Sequence, residues 1–175
     1  MPMSVTLASS AIFESFSRTE KKVDALLHGH SYTAYPIGCE VANETLDILG
    51  GMQARNEWGP HKEAWASSEP SKTPLWSTWS PAFVDEISRA DRVESVIALG
   101  CVLVVELRDS AGAGGYQSTA SADVVSHLRS RPENGESFAI HARPLGNVVY
   151  LMSSLNSSPS VLRQAENRLR EAIVA

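Results

Sequence analysis

Hydrophobic positions along the chain fall into short blocks whose period alternates between two and about three and a half, the mark of strands interleaved with helices. Residues 4–8, SVTLA, are β-branched and mostly apolar and predict a strand. Ser9 or Ser10 then caps a helix with Ile12, Phe13 and Phe16 on one face. Pro36 suits a first helical turn, and Ile37, Val41, Leu46, Ile48 and Leu49 carry an apolar pattern to Gly50-Gly51, which predicts a helix over 36–49. Residues 53–80 change character. All four tryptophans, Trp58, Trp65, Trp76 and Trp79, stand there among Pro, Ser, Lys and Glu, and the stretch reads as an extended surface segment whose indoles pack on something.

Pro81 opens a further helix over 81–90. Two strands, 93–99 and 102–107, meet around Gly100, and the second is a continuous apolar run of the kind that is buried. SAGAGG at 110–115 is a flexible loop. A helix over 119–129, a strand over 138–143, a turn at 144–147, a strand over 148–152 and a closing helix over 159–174 complete the pattern. The class is α/β, without internal repeats.

Composition narrows the partners. A net charge of −5 argues against nucleic acid or an anionic membrane surface, since either recruits a clustered positive face. No run of about 18 apolar residues occurs. Cys39 and Cys101 are the only cysteines, too few for a disulfide framework, and read as buried thiols. In HGHSYT at 28–33, His28 and His30 would share one face of a strand. A stable metal site takes three or four ligands, however, and His61, His127 and His141 have no matching spacing. The alternative is a turn at Gly29 with donors at Ser31 and Tyr32 ahead of a helix N-terminus, a combination suited to an anion such as phosphate. Arg143 ends an apolar strand and a tight turn brings Tyr150 back nearby. Such a guanidinium is either a solvated edge residue or the receiver of a carboxylate. GAGG at 112–115 lacks the Lys-Ser/Thr of a phosphate-cradling loop, and Cys39 inside a helix suits packing rather than nucleophilic attack.

Taken together, SVTLASSAIFESF, LLHGHSYTAYPIGC and RPLGNVVYLM resemble the C-terminal part of class III pyridoxal-phosphate aminotransferases, and within them the biotin-pathway branch, often fused to dethiobiotin synthetase. The resemblance runs over nearly the whole chain. It implies the C-terminal portion of a fold-type I transferase: residues 1–50 as the end of the large cofactor-binding domain, 51–80 as a tryptophan-rich connection and 81–175 as the small α/β domain. It implies pyridoxal 5'-phosphate as cofactor, with Ser31, helped by the backbone of Tyr32, holding its phosphate across a homodimer interface. Arg143 would hold the carboxylate of 8-amino-7-oxononanoate and Tyr150 would line the same pocket, with the amino group coming from S-adenosylmethionine.

Such chemistry needs a Schiff-base lysine. Lys21, Lys22, Lys62 and Lys72 are the only lysines, and none stands in the strand-then-glycine setting the family uses. The expectation is therefore a C-terminal fragment, inactive alone, of a mitochondrial or cytoplasmic enzyme. Two alternatives stay open: a non-catalytic chain that heterodimerises with an intact aminotransferase, and a class III enzyme acting on ornithine or 4-aminobutyrate.

Overall fold

A computed structural model describes residues 4–17, 29, 33–68, 75–109, 112, 114–130 and 138–174. The chain divides into two compact units, Met1–Glu57 and Trp58–Ala175. The family resemblance implied divisions at 50 and 80. Most of the tryptophan-rich stretch goes with the second unit, because its indoles are anchored there.

In the first unit, α1 spans Ser10–Ser17 and α2 spans Pro36–Ala54. The predicted cap is present, with the Ile12 amide donating to Ser9 Oγ at 3.4 Å. The expected strand at 4–8 does not form. A strand needs a ladder partner, and among the described residues none runs beside it, leaving Val5 and Leu7 exposed. Helix α2 runs past the Gly50-Gly51 pair expected to end it, even though each glycine costs a helix interior about 1 kcal/mol. It stops where Asn56 takes a left-handed φ of 55° and its amide turns back to the Gln53 carbonyl.

The second unit is built on an antiparallel sheet of three strands in the order β1-β2-β3: Val93–Leu99, Val102–Leu107 and Val148–Met152. These bounds match the apolar runs residue for residue. Gly100, at φ +54°, makes the tight reversal between β1 and β2. In the register Val105 lies opposite both Val96 and Val149, and Leu103 opposite both Ala98 and Leu151. That face is covered by α4 (Pro81–Ser88), α5 (Ala122–Arg129) and α6 (Pro159–Val174). Helix α4 starts on an N-cap, Ser80 Oγ accepting from the Phe83 amide, and α6 buries Leu162, Ala165, Leu169, Ala172 and Ile173 at the three- and four-residue spacing of a core stripe. The alternate positions, Ile97–Val104–Tyr150 and Leu99–Val102–Met152, form the other face, on which Ile97 and Met152 stand 61% and 68% exposed.

Two expectations fail here. The described parts of 53–80 are no extended surface segment: α3 forms over Gly59–Ser68, and Trp58 and Trp79 are buried, though the indoles do pack as expected. Three indole N–H groups donate to distant carbonyls, Trp58 to Leu155 at 2.9 Å, Trp65 to Trp79 at 3.0 Å and Trp79 to Cys101 at 3.0 Å. Residues 138–143 make no strand. Their backbone partners lie at the end of α5 instead, the Ile140 amide donating to the Leu128 carbonyl at 2.7 Å. Both cysteines are half-buried rather than fully buried. Among the described residues no helix is long and apolar enough to cross a membrane.

Candidate carboxylate-binding site

Arg143 stands between two anchored points. Before it, Ala142 is buried and its carbonyl accepts from Arg129 Nε, on α5, at 2.8 Å. After it, the chain turns through Gly146 at φ +63°, closed by paired bonds between Leu145 and Val148. The Gly146 carbonyl accepts from the Ser121 amide and from Ser121 Oγ at 2.7 Å, and Ser121 is fully buried. Asn147 extends the clamp, donating from Nδ2 to the Leu107 carbonyl at 3.1 Å while its own carbonyl accepts from the Leu107 amide at 2.8 Å. The turn is thereby tied to the end of β2 and to the start of α5. Only glycine fits at 146, since a Cβ there would meet the Gly115 carbonyl oxygen at 1.8 Å.

Beyond the turn, β3 presents Tyr150 on the open face, opposite Val104. Arg143, Tyr150, His141, Ala142 and Met152 line one cavity of about 220 Å³. The exposure pattern accompanies the convergence: His141 and Arg143 are exposed on either side of buried Ala142, and Tyr150 and Met152, two apart on β3, share its open face. The lining holds a guanidinium, an imidazole, a phenol and a thioether, and no carboxylate. Chemically it is a receiver for an anionic group on an apolar stem, a fork for the two oxygens and Met152 for the chain behind them. His141 was not singled out from sequence, although its i, i+2 relation to Arg143 is a signal that could have found it.

A larger cleft, about 690 Å³, is lined by Arg92, Arg108, Asp91, Asp109 and Asp123 among others. Its charges are of both signs and its arginines are engaged, Arg92 with Asp123 at 2.6 Å and Arg108 with Glu94 at 3.2 Å. Burial alone would raise the Asp123 carboxyl, but hydrogen bonds from Arg92 and from the Val124 amide outweigh it and hold the group below its ordinary value. Nothing there selects an anion as the Arg143 cavity does.

Ser31 and Tyr32, the expected phosphate contacts, lie outside the described residues, as do His28 and His30. Beyond them Ala34, at φ +56°, leads to Tyr35, which caps α2 without a side-chain hydrogen bond. Lys62 is the only lysine among the described residues. Its ammonium lies 5.8 Å and 5.5 Å from the Trp58 and Trp76 ring centres, themselves stacked at 5.7 Å, a cation–π arrangement on the two indoles. Among the described residues the Arg143 cavity thus suits a carboxylate.

No family model matches the chain. Among curated relatives it is 42% identical, over 99% of its own length, to the bifunctional dethiobiotin synthetase/adenosylmethionine-8-amino-7-oxononanoate aminotransferase of Emericella nidulans, of which it covers 22%. It is 34% identical, over 97% of its length, to the mitochondrial bifunctional dethiobiotin synthetase/7,8-diamino-pelargonic acid aminotransferase of Arabidopsis thaliana, covering 18% of it. A single-function adenosylmethionine-8-amino-7-oxononanoate aminotransferase from Geobacter sulfurreducens also matches, at 25% identity over 89% of the chain and 30% of the relative. By sequence the chain is similar, over nearly its whole length, to part of the adenosylmethionine-8-amino-7-oxononanoate aminotransferases. The single-function match places it in the aminotransferase part of the bifunctional proteins. Against solved structures it superposes on this aminotransferase from Methanocaldococcus jannaschii with a TM-score of 0.59, at 23% identity, covering 86% of this chain and 30% of that one. A Virgibacillus transaminase gives 0.61 at 17% identity, over 95% and 34%. The fold is that of a portion of the fold-type I aminotransferases, and the chain spans between about a sixth and a third of the length of its curated relatives matched over most of it.

Proposed function

We propose that this chain supplies the carboxylate-binding part of a class III, pyridoxal-phosphate-dependent aminotransferase of biotin synthesis, which transfers an amino group from S-adenosylmethionine to 8-amino-7-oxononanoate and forms 7,8-diaminononanoate. The observation that carries this reading is the convergence of Arg143 and Tyr150, distant from one another in role and chemistry, on one cavity free of acidic side chains. Arg143 receives the substrate carboxylate through its forked donors, and Tyr150 and Met152 line the path of the aliphatic stem. Ser31 and the backbone of Tyr32 hold the cofactor phosphate across a homodimer interface, and the cofactor, when bound, supplies the electron sink that amino transfer requires. The Schiff-base lysine comes from a part of the enzyme outside these 175 residues. The setting is mitochondrial or cytoplasmic, and the two plant relatives are named as mitochondrial proteins.

In the complete enzyme, Arg143→Ala should weaken 8-amino-7-oxononanoate by about 2–5 kcal/mol, the usual loss when one member of a close charge pair is truncated. Unchanged affinity refutes the assignment. The same substitution separates this substrate from ornithine or 4-aminobutyrate: the loss should be greatest for the long-chain oxo acid.

A second reading, a non-catalytic chain that pairs with an intact aminotransferase, is favoured by the apolar side chains that α1 and α2 leave bare, Phe13 at 69% and Leu46 at 66% exposure. Co-purification of the 175-residue chain with a full-length aminotransferase, in place of self-association, would support it.

A further inference from the structure

Residues 138–144 belong to no strand, so no ladder of backbone bonds sets the direction in which Arg143 leaves the chain. Two bonds from the end of α5 stand in for that ladder. The Ile140 amide donates to the Leu128 carbonyl at 2.7 Å, and Arg129 Nε donates to the Ala142 carbonyl at 2.8 Å. The second is the informative one. The Ala142 carbonyl belongs to the peptide unit that ends in the nitrogen and Cα of Arg143, and that unit is planar. Gripping its oxygen therefore fixes the plane from which the Arg143 side chain departs. Ala142, buried but bearing only a methyl, has little with which to set that plane by itself.

We infer that Arg129 is a positioning residue for Arg143: it acts through the Ala142 carbonyl to aim the Arg143 guanidinium at the substrate carboxylate. The inference rests on the carboxylate reading of Arg143 given above. Arg129 does not line the cavity, so its contribution passes through Arg143 and not through direct contact with substrate. Without it the peptide unit can rotate, and the fork samples orientations in which it meets one carboxylate oxygen or none.

The test uses the complete holoenzyme, with 8-amino-7-oxononanoate and an analogue of the same chain length that lacks the carboxylate. Arg129→Met should raise KM for the carboxylate substrate roughly tenfold, in line with loss of one charge-assisted bond, with kcat within about twofold. The analogue should be handled as by the parent enzyme to within about twofold. Arg129→Lys, which keeps a donor on a flexible stem, should recover part of the loss. In an Arg143→Ala background, Arg129→Met should add nothing, as expected for two residues acting as one unit. An equal loss on the analogue, or a loss that persists without Arg143, would show a merely structural role and overturn the inference. If Arg143→Ala weakens the carboxylate substrate while both Arg129 variants leave it untouched, this inference falls and the reading of Arg143 stands. If Arg143→Ala itself changes nothing, both fall. Should Arg129→Met fail to fold, as judged by its thermal transition, Arg129→Lys carries the comparison, and full carboxylate affinity together with a lost Ala142 contact would overturn the proposal.

Discussion

Replacing Gly146 by alanine tests whether the turn after Arg143 is held as rigidly as its contacts imply. Two costs add. The first is conformational: at φ +63° an L side chain crowds the following carbonyl, which costs about 1–2 kcal/mol. The second is steric. The new Cβ would sit 1.8 Å from the Gly115 carbonyl oxygen and 2.6 Å from its carbon, so one of the two backbones must move by more than an ångström. Gly146 is the better anchored, through Ser121 and the Leu145–Val148 bonds, whereas Gly115 opens a single exposed 3-10 turn, Gly115–Gln117, and its carbonyl accepts from the Ser118 amide at 3.1 Å. This short turn should give way and lose that bond, adding about 0.5–1.5 kcal/mol. Total destabilisation is then about 1.5–3.5 kcal/mol, or roughly 5–10 °C in the unfolding midpoint at about 3 °C per kcal/mol. Gly100→Ala is the control, since Gly100 has φ +54° with nothing within 4 Å of a Cβ and should show the conformational cost alone. Urea denaturation of the three proteins, read by tryptophan fluorescence and circular dichroism, measures the difference. If Gly146→Ala proves no more destabilising than Gly100→Ala, the close approach to Gly115 is not a constraint and the description of the turn is wrong.

Apolar runs that find a partner strand or a core face were legible before the structure, and segments held by a distant side chain or carbonyl were not. The runs 93–99, 102–107 and 148–152 pair with one another, and α6 carries a full core stripe, so pattern and outcome coincide. Residues 4–8 and 138–143 have the same apolar, β-branched look, yet a strand exists only beside another. The first has no partner among the described residues, and the second is diverted to the end of α5 by the Leu128 carbonyl and Arg129. The tryptophans misled for a related reason. Aperiodic spacing suggested an extended course with packed indoles; the packing is there, but a helix and burial replace the extended course, and the indoles' partners, Leu155 and Cys101 among them, have no signature near Trp58 or Trp79. The pairing of Arg143 with Tyr150 could be read from the turn between them, because a tight turn forces its flanking positions together. Arg129 could not, since its link to Ala142 depends on how α5 docks.

Three further substitutions probe the second unit. Trp79→Ala should cost about 3–5 kcal/mol from lost packing at a side chain buried to 2% exposure, whereas Trp79→Phe should cost clearly less, because the Cys101 carbonyl keeps the Ser153 amide at 2.9 Å; equal losses would mean that the indole bond, not packing, dominates. Arg168→Met should cost about 2–4 kcal/mol by calorimetry, since this buried guanidinium bonds the His127 and Ser130 carbonyls at 2.6 Å and 3.0 Å and so closes the end of α5; a neutral outcome would show those carbonyls to be served by water. The last concerns acid. Arg170 grips Glu86 through two bonds, 2.7 Å and 2.9 Å, and this hydrogen-bonded guanidinium holds the Glu86 carboxyl below its ordinary 4.5. A carboxyl whose folded value is depressed binds its proton more weakly folded than unfolded, so its contribution is complete above the ordinary value and disappears as pH falls through the folded one. Native protein should therefore be more stable than Glu86→Gln at pH 7, and the gap should close below about pH 4, where the unfolded chain takes up the proton first. Denaturant midpoints for both proteins across that range decide it: a gap that stays constant with pH would mean that Arg170 holds Glu86 by packing over Phe83, at 5.3 Å from the ring centre, rather than by charge.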